Sequence, residues 1–521
     1  MTYDIILFTD SLIDSYRTRS NGPHRLATEL RNHDYSVKVI DWTCYIFNDY
    51  RLTLKLIKSL IGSNTLFVGF SGSHFYRVKI TDATFDRVDR YHSDMGTRPY
   101  PYPGEQRTFE MIIGQMKKIN PNLKIAYGGS WANGAFKLSG KIDYIVEGLA
   151  DQTIIELASH LKNKTPIKWV PGAHPGQKII SHDKLGLSFD FPTSYTQYEP
   201  HDHIRPGEIM CLETSRGCMF KCKFCNFLLI GRKATDPKYH KELSILTQEL
   251  KHNWDNYKIN RYYILDDTFN ETTEKMQMIH QAVIDAGVPD FKFFAYLRLD
   301  LIRKHPEQID LLKEMGLCAA YFGIESLNDE TLKIIAKPMK SKLVKSFLGE
   351  LKTRWGNSVI MHGSFIMGLP ADTPETFASW WPWVASLECP LDSANLSWLS
   401  IDQALPNAFG VNLDQYGYEM LPMPGETGPL YNWKSAVWDR DYCKEEAGQL
   451  NREMFLSRRK TPHAWEAMGL MDLGYSFEHV RDTASLDFDR LEIKKRIEDQ
   501  RDAYIRELCN YEGIDYEHLS E

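Results

Sequence analysis

The sequence predicts an α/β protein: a doubly wound parallel sheet, then a partial barrel of six strand–helix units, then a mainly helical C-terminal region. Three observations predict it. Short β-rich runs alternate with amphipathic helical segments over residues 1–165; a Pro-, Gly- and His-rich stretch at 166–206 breaks the alternation; a second strand–helix series occupies 207–400. Residues 401–521 carry a Pro/Gly-rich stretch and then charged, helical sequence. A chain of 521 residues exceeds one ordinary core, and about three domains is the expectation.

In the first series, strands are expected at Tyr3–Phe8, Ser36–Asp41, Thr65–Ser71, Leu123–Tyr127 and Asp143–Val146. Helices are expected at Pro23–Asn32, Leu52–Ile61, Thr108–Ile119 and Thr153–Lys162. Parallel sheets bind ligands at the carboxyl ends of their strands. Those ends carry Thr9-Asp10, Ser71-Gly72-Ser73-His74, Gly128-Gly129-Ser130 and Glu147-Gly148, small residues that serve either as turns or as points of close approach to a ligand. The long insertion Tyr76–Arg107 is the kind of loop that carries function or motion. Residues 166–206 read as an inter-domain linker. In the second series, strands are expected at Ile209–Glu213, Tyr262–Leu265, Phe291–Tyr296, Ala319–Gly323, Val359–Met367 and Asn395–Ser400.

Composition excludes several classes. Apolar residues make up 43% and charged residues 25%, the proportions of a globular protein. Mean hydropathy is −0.40, and no stretch approaches the ~18 apolar residues of a membrane helix. The start MTYDIILFTD lacks the basic and apolar regions of a signal peptide. With 62 basic and 69 acidic residues the net charge is −7, which disfavours bulk nucleic-acid binding. Nine cysteines are too few and too uneven for a disulfide framework, so a reducing cytoplasm is expected.

The chemistry lies in Thr214-Ser-Arg-Gly-Cys218-Met-Phe-Lys-Cys222-Lys-Phe-Cys225, directly after the first barrel strand. Three thiols at Cys-x3-Cys-x2-Cys spacing suit a soft metal or an iron–sulfur cluster. A structural zinc site fills four positions. Cys211 is the only nearby fourth thiol and lies inside the strand. Three ligands on a 4Fe-4S cluster leave one iron open for a chelating cosubstrate.

This segment resembles the radical S-adenosylmethionine (SAM) enzymes, and further segments extend the resemblance. Phe224 matches the aromatic residue before the third cysteine. Ile264-Leu-Asp266-Asp267-Thr-Phe269 is similar to the segment beside the SAM amino group, and Tyr296-Leu-Arg298-Leu-Asp300 to the one whose arginine meets the SAM carboxylate. Gly323-Ile-Glu325-Ser326-Leu327 resembles the segment near the ribose, and Phe365-Ile366-Met-Gly-Leu-Pro370 the one packed on adenine. The resemblance implies a cluster on Cys218, Cys222 and Cys225, with Phe224, Asp266, Asp267, Arg298, Glu325, Ser326 and Ile366 around SAM. Asp266 would accept from the amino group and Glu325 from a ribose hydroxyl. Plainer roles remain open: Asp267 as a helix cap, and Arg298 with Asp300 as an ion pair. The Phe-rich strand (Phe291, Phe293, Phe294) is expected to shield a radical site from water.

An N-terminal Rossmann-like sheet before such a barrel resembles the cobalamin-binding subgroup, through Asn21–Thr28, Val68–Ser71, Gly128-Gly129 and Asp143–Gly148 with Thr153. Ser71, His74, Gly128, Gly129, Glu147 and Gly148 are the cofactor-binding residues this implies. The Asp-x-His-x-x-Gly signature of other cobalamin proteins is absent, which argues against an axial histidine from the first loop; the resemblance implies that His74, Phe75 or Tyr76 after the third strand faces the cobalt or covers the corrin. What the resemblance implies is reductive SAM cleavage, cobalamin-dependent methylation of an unactivated carbon, a small-molecule or peptide substrate, and an electron donor such as flavodoxin or ferredoxin. The alternatives are cobalamin-free radical SAM chemistry (rearrangement, oxidation or bond formation) and a non-catalytic metal-binding scaffold. The sequence names no catalytic acid, base or nucleophile.

Overall fold

The computed structural model describes residues 2–9, 19–71, 106–129, 140–181, 185, 194–225, 240–401, 407–421, 432–456, 464–483 and 488–516. The chain forms two compact units, Met1–Pro206 with Arg490–Glu521, and Gly207–Asp489.

In the first unit, strands β1 (Ile5–Phe8), β2 (Val37–Ile40), β3 (Phe67–Ser71), β4 (Lys124–Gly129), β5 (Tyr144–Glu147), β6 (Val170–Pro171) and β7 (Lys178–Ser181) form one sheet in the order β2-β1-β3-β4-β5-β7-β6. All pairs are parallel except β6–β7. Every residue of β1 is buried, as a strand covered on both faces requires. Alternate residues feed two cores, Ile6 and Phe8 on one face, Ile5 and Leu7 on the other. Helices Asn21–Arg31, Tyr50–Leu60, Gln106–Ile119 and Asp151–Asn163 fall where periodicity places them.

Two segments depart from expectation. Residues 166–206 are more than a linker: Ile179 and Ile180 pair with Ile145 and Val146, extending the sheet. Residues 490–521 belong to this first unit rather than to a separate C-terminal region. The helix Arg490–Tyr511 buries Tyr504, Ile505, Leu508 and Cys509 in the core beside Phe8 and Tyr127. Beyond it, Glu512 lies 3.4 Å from the Lys38 ammonium, both side chains shut off from water, and accepts the Tyr3 hydroxyl at 2.9 Å. Lys38 also donates to the His201 carbonyl at 2.6 Å.

The second unit holds β8 (Met210–Leu212), β9 (Arg261–Ile264), β10 (Lys292–Leu297), β11 (Leu317–Glu325), β12 (Ile360–Met367) and β13 (Ser393–Trp398), parallel and in sequential order. Helices cover the outer face: Phe322 stacks on Trp355, and Phe365 meets Trp380. The Phe-rich strand is divided by its alternation. Phe291 and Phe293 lie among Tyr262 and Phe269 on the covered side, so of the three only Phe294 faces inward, beside Tyr263. At the amino end of the strands, Asp472 of helix Ala464–Asp472 accepts the Ile209 amide at 2.7 Å. The short β14 (Glu419–Leu421) and β15 (Asn432–Lys434) form a hairpin whose Trp433 donates to the Leu399 carbonyl at 2.9 Å. Gly368 sits beneath that indole at φ +90°, where an added Cβ would come within 2.5 Å of the ring. Among the described residues no helix is long and apolar enough to cross a membrane.

The buried Lys38–Glu512 pair ties the chain's end to its first sheet. Glu512→Gln removes the carboxylate beside a buried cation, leaving it the His201 carbonyl, the His203 ring nitrogen and the Tyr511 ring, and is expected to cost about 3 kcal/mol in chemical denaturation, whereas Lys38→Met with Glu512→Gln recovers most of that loss. Equal destabilisation by the single and double variants contradicts the pairing.

Candidate functional site

The cysteine loop leaves β8 at its carboxyl end and is held from its first two residues. Asp266, just past β9 and 1% exposed, accepts the Thr214 amide (2.8 Å) and the Ser215 amide (3.0 Å) on one oxygen, and both hydroxyls on the other. The buried Lys275 ammonium lies 2.7 Å from the same carboxylate and donates to Ser215 Oγ at 2.6 Å. Lys275 is placed by the helix Thr273–Ala286, whose N-cap Thr272 accepts the Lys275 amide. These partners hold the Asp266 carboxyl below its usual range despite burial.

Arg298, at the end of β10, holds the middle of the loop. Its backbone is pinned by Asn270, which accepts the Arg298 amide at 2.9 Å and donates to its carbonyl at 3.1 Å. The guanidinium forks onto Asp300 through two 3.0 Å bonds, stacks on Phe220 at 3.9 Å and donates to Cys222 Sγ at 3.2 Å. Cys218 Sγ meets Thr268 Oγ1 at 3.5 Å, and burial pushes its thiol up. The buried Glu271 accepts the Met219 amide at 3.1 Å. The turn 222–225 closes with Cys225 N–H to the Cys222 carbonyl at 3.1 Å, and Asn407 donates to the Phe224 carbonyl at 3.0 Å.

None of the three cysteines is in a disulfide among the described residues. Among the described residues no three His, Cys, Asp or Glu side chains converge on a single-ion site. Cys211 lies within β8 opposite Tyr263, and Cys318, Cys389, Cys443 and Cys509 are buried singly.

The structure redistributes the remaining expected roles. Asp266 has no capacity left for a SAM amino group, since a carboxylate offers about four acceptor positions and the loop fills them. Asp267, next to it, is open to solvent. Surrounding protein and then the Asp266 charge push the Asp267 carboxyl up to about 6. Arg298 is committed to Asp300 and Cys222, so the expected ion pair is present and a sulfur contact is added. Ser326 is buried and donates to Asp372 at 3.3 Å. Glu325, at φ +73°, sits 3.5 Å from Lys337, and burial still raises its carboxyl. Ile366 is partly accessible on the inner face, and Phe224 lies under Lys337 at 5.8 Å. Thr268, Asn270, Glu271 and Lys275 were not singled out from sequence; their signal is their place within ten residues of Asp266.

In the first unit, Ser71 pairs with Gly128 and Gly129 with Glu147, so these residues and Gly148 form one row along the sheet's carboxyl edge. Gly128 is small for packing: a Cβ there would lie 3.1 Å from the Val146 carbonyl of β5. Thr9 after β1 and Thr153 after β5 keep buried hydroxyls with no hydrogen-bond partner among the described residues. His74, Phe75 and Tyr76 lie outside the described residues.

Residues 212–380 match the family model of the Radical SAM superfamily. The barrel is a radical SAM domain. The chain is 28% identical over 279 residues to an uncharacterized methyltransferase of Pyrococcus horikoshii, covering 50% of this chain and 57% of that one. It is 24% identical to the hopanoid C-2 methylase of Rhodopseudomonas palustris, covering 55% of this chain and 51% of that one. The chain thus spans about half the length of these curated relatives. The structure superposes on the radical SAM methyltransferase TsrM of Kitasatospora setae, solved with cobalamin and a [4Fe-4S] cluster, with a TM-score of 0.66 over 96% of this chain and all of that one. At 15% identity this likeness establishes the fold.

If Asp266 organises the radical SAM loop structurally, Asp266→Asn leaves the buried Lys275 with only the more distant Glu271 carboxylate, 4.0 Å away, to balance its charge. The expected loss is about 3–5 kcal/mol, read as a lowered urea midpoint before any cluster is loaded. An unchanged midpoint contradicts this role.

Proposed function

We propose that this chain is a cobalamin-dependent radical SAM methyltransferase acting on an unactivated carbon. The observation that carries the reading is the three-cysteine loop at the carboxyl end of β8, its central thiol held by Arg298, inside a radical SAM barrel. The names of the two curated relatives support transfer of a methyl group.

The residues fit the groups this requires. Cys218, Cys222 and Cys225 are outside any disulfide and would hold the cluster, with the Arg298 guanidinium donating to Cys222 Sγ. Asp267 offers an open carboxylate for the SAM ammonium, Glu325 an acceptor for a ribose hydroxyl, and Ile366 an apolar surface for adenine. The unpartnered Thr9 and Thr153 hydroxyls, on the edge that carries Ser71, Gly129, Glu147 and Gly148, fit a large polar cofactor such as cobalamin. When bound, the cluster supplies one electron to the sulfonium and cobalamin supplies a transferable methyl group. The chain's own contribution is positioning: Asp266 fixes the loop's origin, Arg298 fixes its middle, and Asp267 orients SAM against both. Flavodoxin or ferredoxin suits the electron supply. The eight cysteines outside any disulfide among the described residues suit a reducing cytoplasm.

Two measurements test this. After anaerobic reconstitution, incubation with hydroxocobalamin and desalting, the wild type is expected to retain about one cobalt per chain; a triple Cys218/Cys222/Cys225→Ala variant keeps the cobalt and loses the iron. A full complement of iron without cobalt overturns the cobalamin assignment. For Asp267, SAM affinity is expected to be full above pH 7 and to fall as the pH drops through about 6, where the carboxylate takes a proton and loses its charge. Asp267→Asn weakens SAM binding about tenfold, removes that pH dependence and leaves the melting midpoint unchanged.

A further inference from the structure

The inner face of β9–β13, between the cysteine loop and the amino end of the strands, carries a polar arrangement distinct from the residues assigned above to the cluster and SAM. Tyr296, Tyr321, His362 and Ser393 stand in register across four strands, one side chain each. Tyr296 and Tyr321 meet edge to face at 4.8 Å, and Tyr321 lies 4.8 Å from the His362 ring at 31°. His362 is fully buried behind them. Its Nδ1 pairs with Ser393 Oγ at 2.8 Å and its Nε2 with Asn395 Oδ1 at 2.8 Å. Tyr321 donates to the same Asn395 oxygen at 3.2 Å, and Asn395 Nδ2 donates to Ser397 Oγ at 3.2 Å.

Burial lowers the imidazole to about 4, so the ring is neutral and donates one proton. With Ser393 donating to Nδ1, that proton lies on Nε2 and points at Asn395. Two donors on Asn395 Oδ1 fix the amide, and the second N–H of Nδ2 is left over after Ser397 takes the first. The charged groups on this face lie at its two ends. Below, Arg261 is spent on the Met471 and Gly207 carbonyls and Lys292 on Asp290. Above, Arg298 is paired with Asp300 and Glu325 with Lys337. Between them the wall is aromatic, hydroxylated and uncharged, and Tyr296, Tyr321 and Asn395 are partly accessible. A wall built only for packing would look like the outer face, where Phe and Trp are buried outright.

We infer that this wall takes an uncharged, planar ring bearing a hydrogen-bond acceptor, with Asn395 donating to the acceptor and His362 acting as the positioning residue that orients Asn395. This rests on the radical SAM reading for its place in the reaction, since it names the substrate class that the barrel would admit. The hydroxyl-bearing rings supply edge and face contacts, and the neutral wall gives no compensation for a desolvated ionic group.

The test measures binding by equilibrium dialysis on the full, anaerobically reconstituted chain at pH 7.5, with quinoline, naphthalene and 1-naphthoate as probes. Quinoline and naphthalene share a shape and differ by one acceptor nitrogen. Wild type is expected to bind quinoline about fivefold more tightly than naphthalene, and 1-naphthoate more weakly than either. Asn395→Asp keeps the side-chain shape, replaces the donor with an acceptor, and brings the quinoline-to-naphthalene ratio to one or below. His362→Phe also lowers the ratio while naphthalene binding stays within twofold; if that variant fails to fold, Asn395→Asp alone decides. Equal binding of the two rings by wild type, a ratio that survives Asn395→Asp, tighter binding of 1-naphthoate, or no binding of any probe overturns the inference. The readout needs no turnover. SAM cleavage without ring binding therefore sinks this inference alone, and ring binding without SAM cleavage sinks the radical SAM reading alone.

Discussion

One buried carboxylate organises the radical SAM site. Asp266 accepts two amides and two hydroxyls from Thr214 and Ser215 and pairs with Lys275, so the end of β8, the end of β9 and the following helix share a single charge. The anion is affordable in the interior because each of its acceptor positions is filled and its counter-ion is equally buried. Shifting it moves the loop's origin, and with it every thiol. Arg298 then repeats the arrangement one strand further on, drawing Cys222 towards a guanidinium already anchored by Asp300 and Phe220.

The wider architecture follows from strand alternation. A parallel sheet covered by helices outside must place every second residue inside. On β10 this sends Phe293 to the helices and leaves Phe294 and Tyr296 for the interior. Across β11, β12 and β13 the same rule lines up Tyr321, His362 and Ser393. Functional groups therefore collect at two levels. The charged, loop-borne ones lie at the carboxyl edge, and the neutral, strand-borne ones lie beneath it.

Much of this was legible in the sequence. Alternating apolar runs located the strands of both sheets, apart from the short edge pair β6–β7, because a buried parallel strand needs a continuous apolar core whatever surrounds it. The cysteine spacing marked the candidate cluster loop without reference to any partner. What stayed hidden depends on which way neighbouring side chains turn. Asp266 and Asp267 are adjacent and chemically identical, and only the tertiary contacts show that the first is consumed by the loop while the second stays open. Ser326 reads as a ligand contact, and its bond to Asp372 is visible only in the fold. The strand Lys178–Ser181 is too short and too flanked by polar residues to stand out within a Pro/Gly-rich stretch. The helix Arg490–Tyr511 reads as part of a C-terminal module because the apolar residues of its core contact are spread along a strongly charged sequence.

The central claim is that three thiols hold a four-iron cluster with one iron left for SAM. The most direct measurement is the electron paramagnetic resonance spectrum of the dithionite-reduced, reconstituted chain, recorded before and after SAM is added. The account predicts a 4Fe-4S signal that changes shape and position with SAM. A fully formed cluster whose signal SAM leaves unaltered would contradict it, because such a cluster has no open iron facing the cosubstrate.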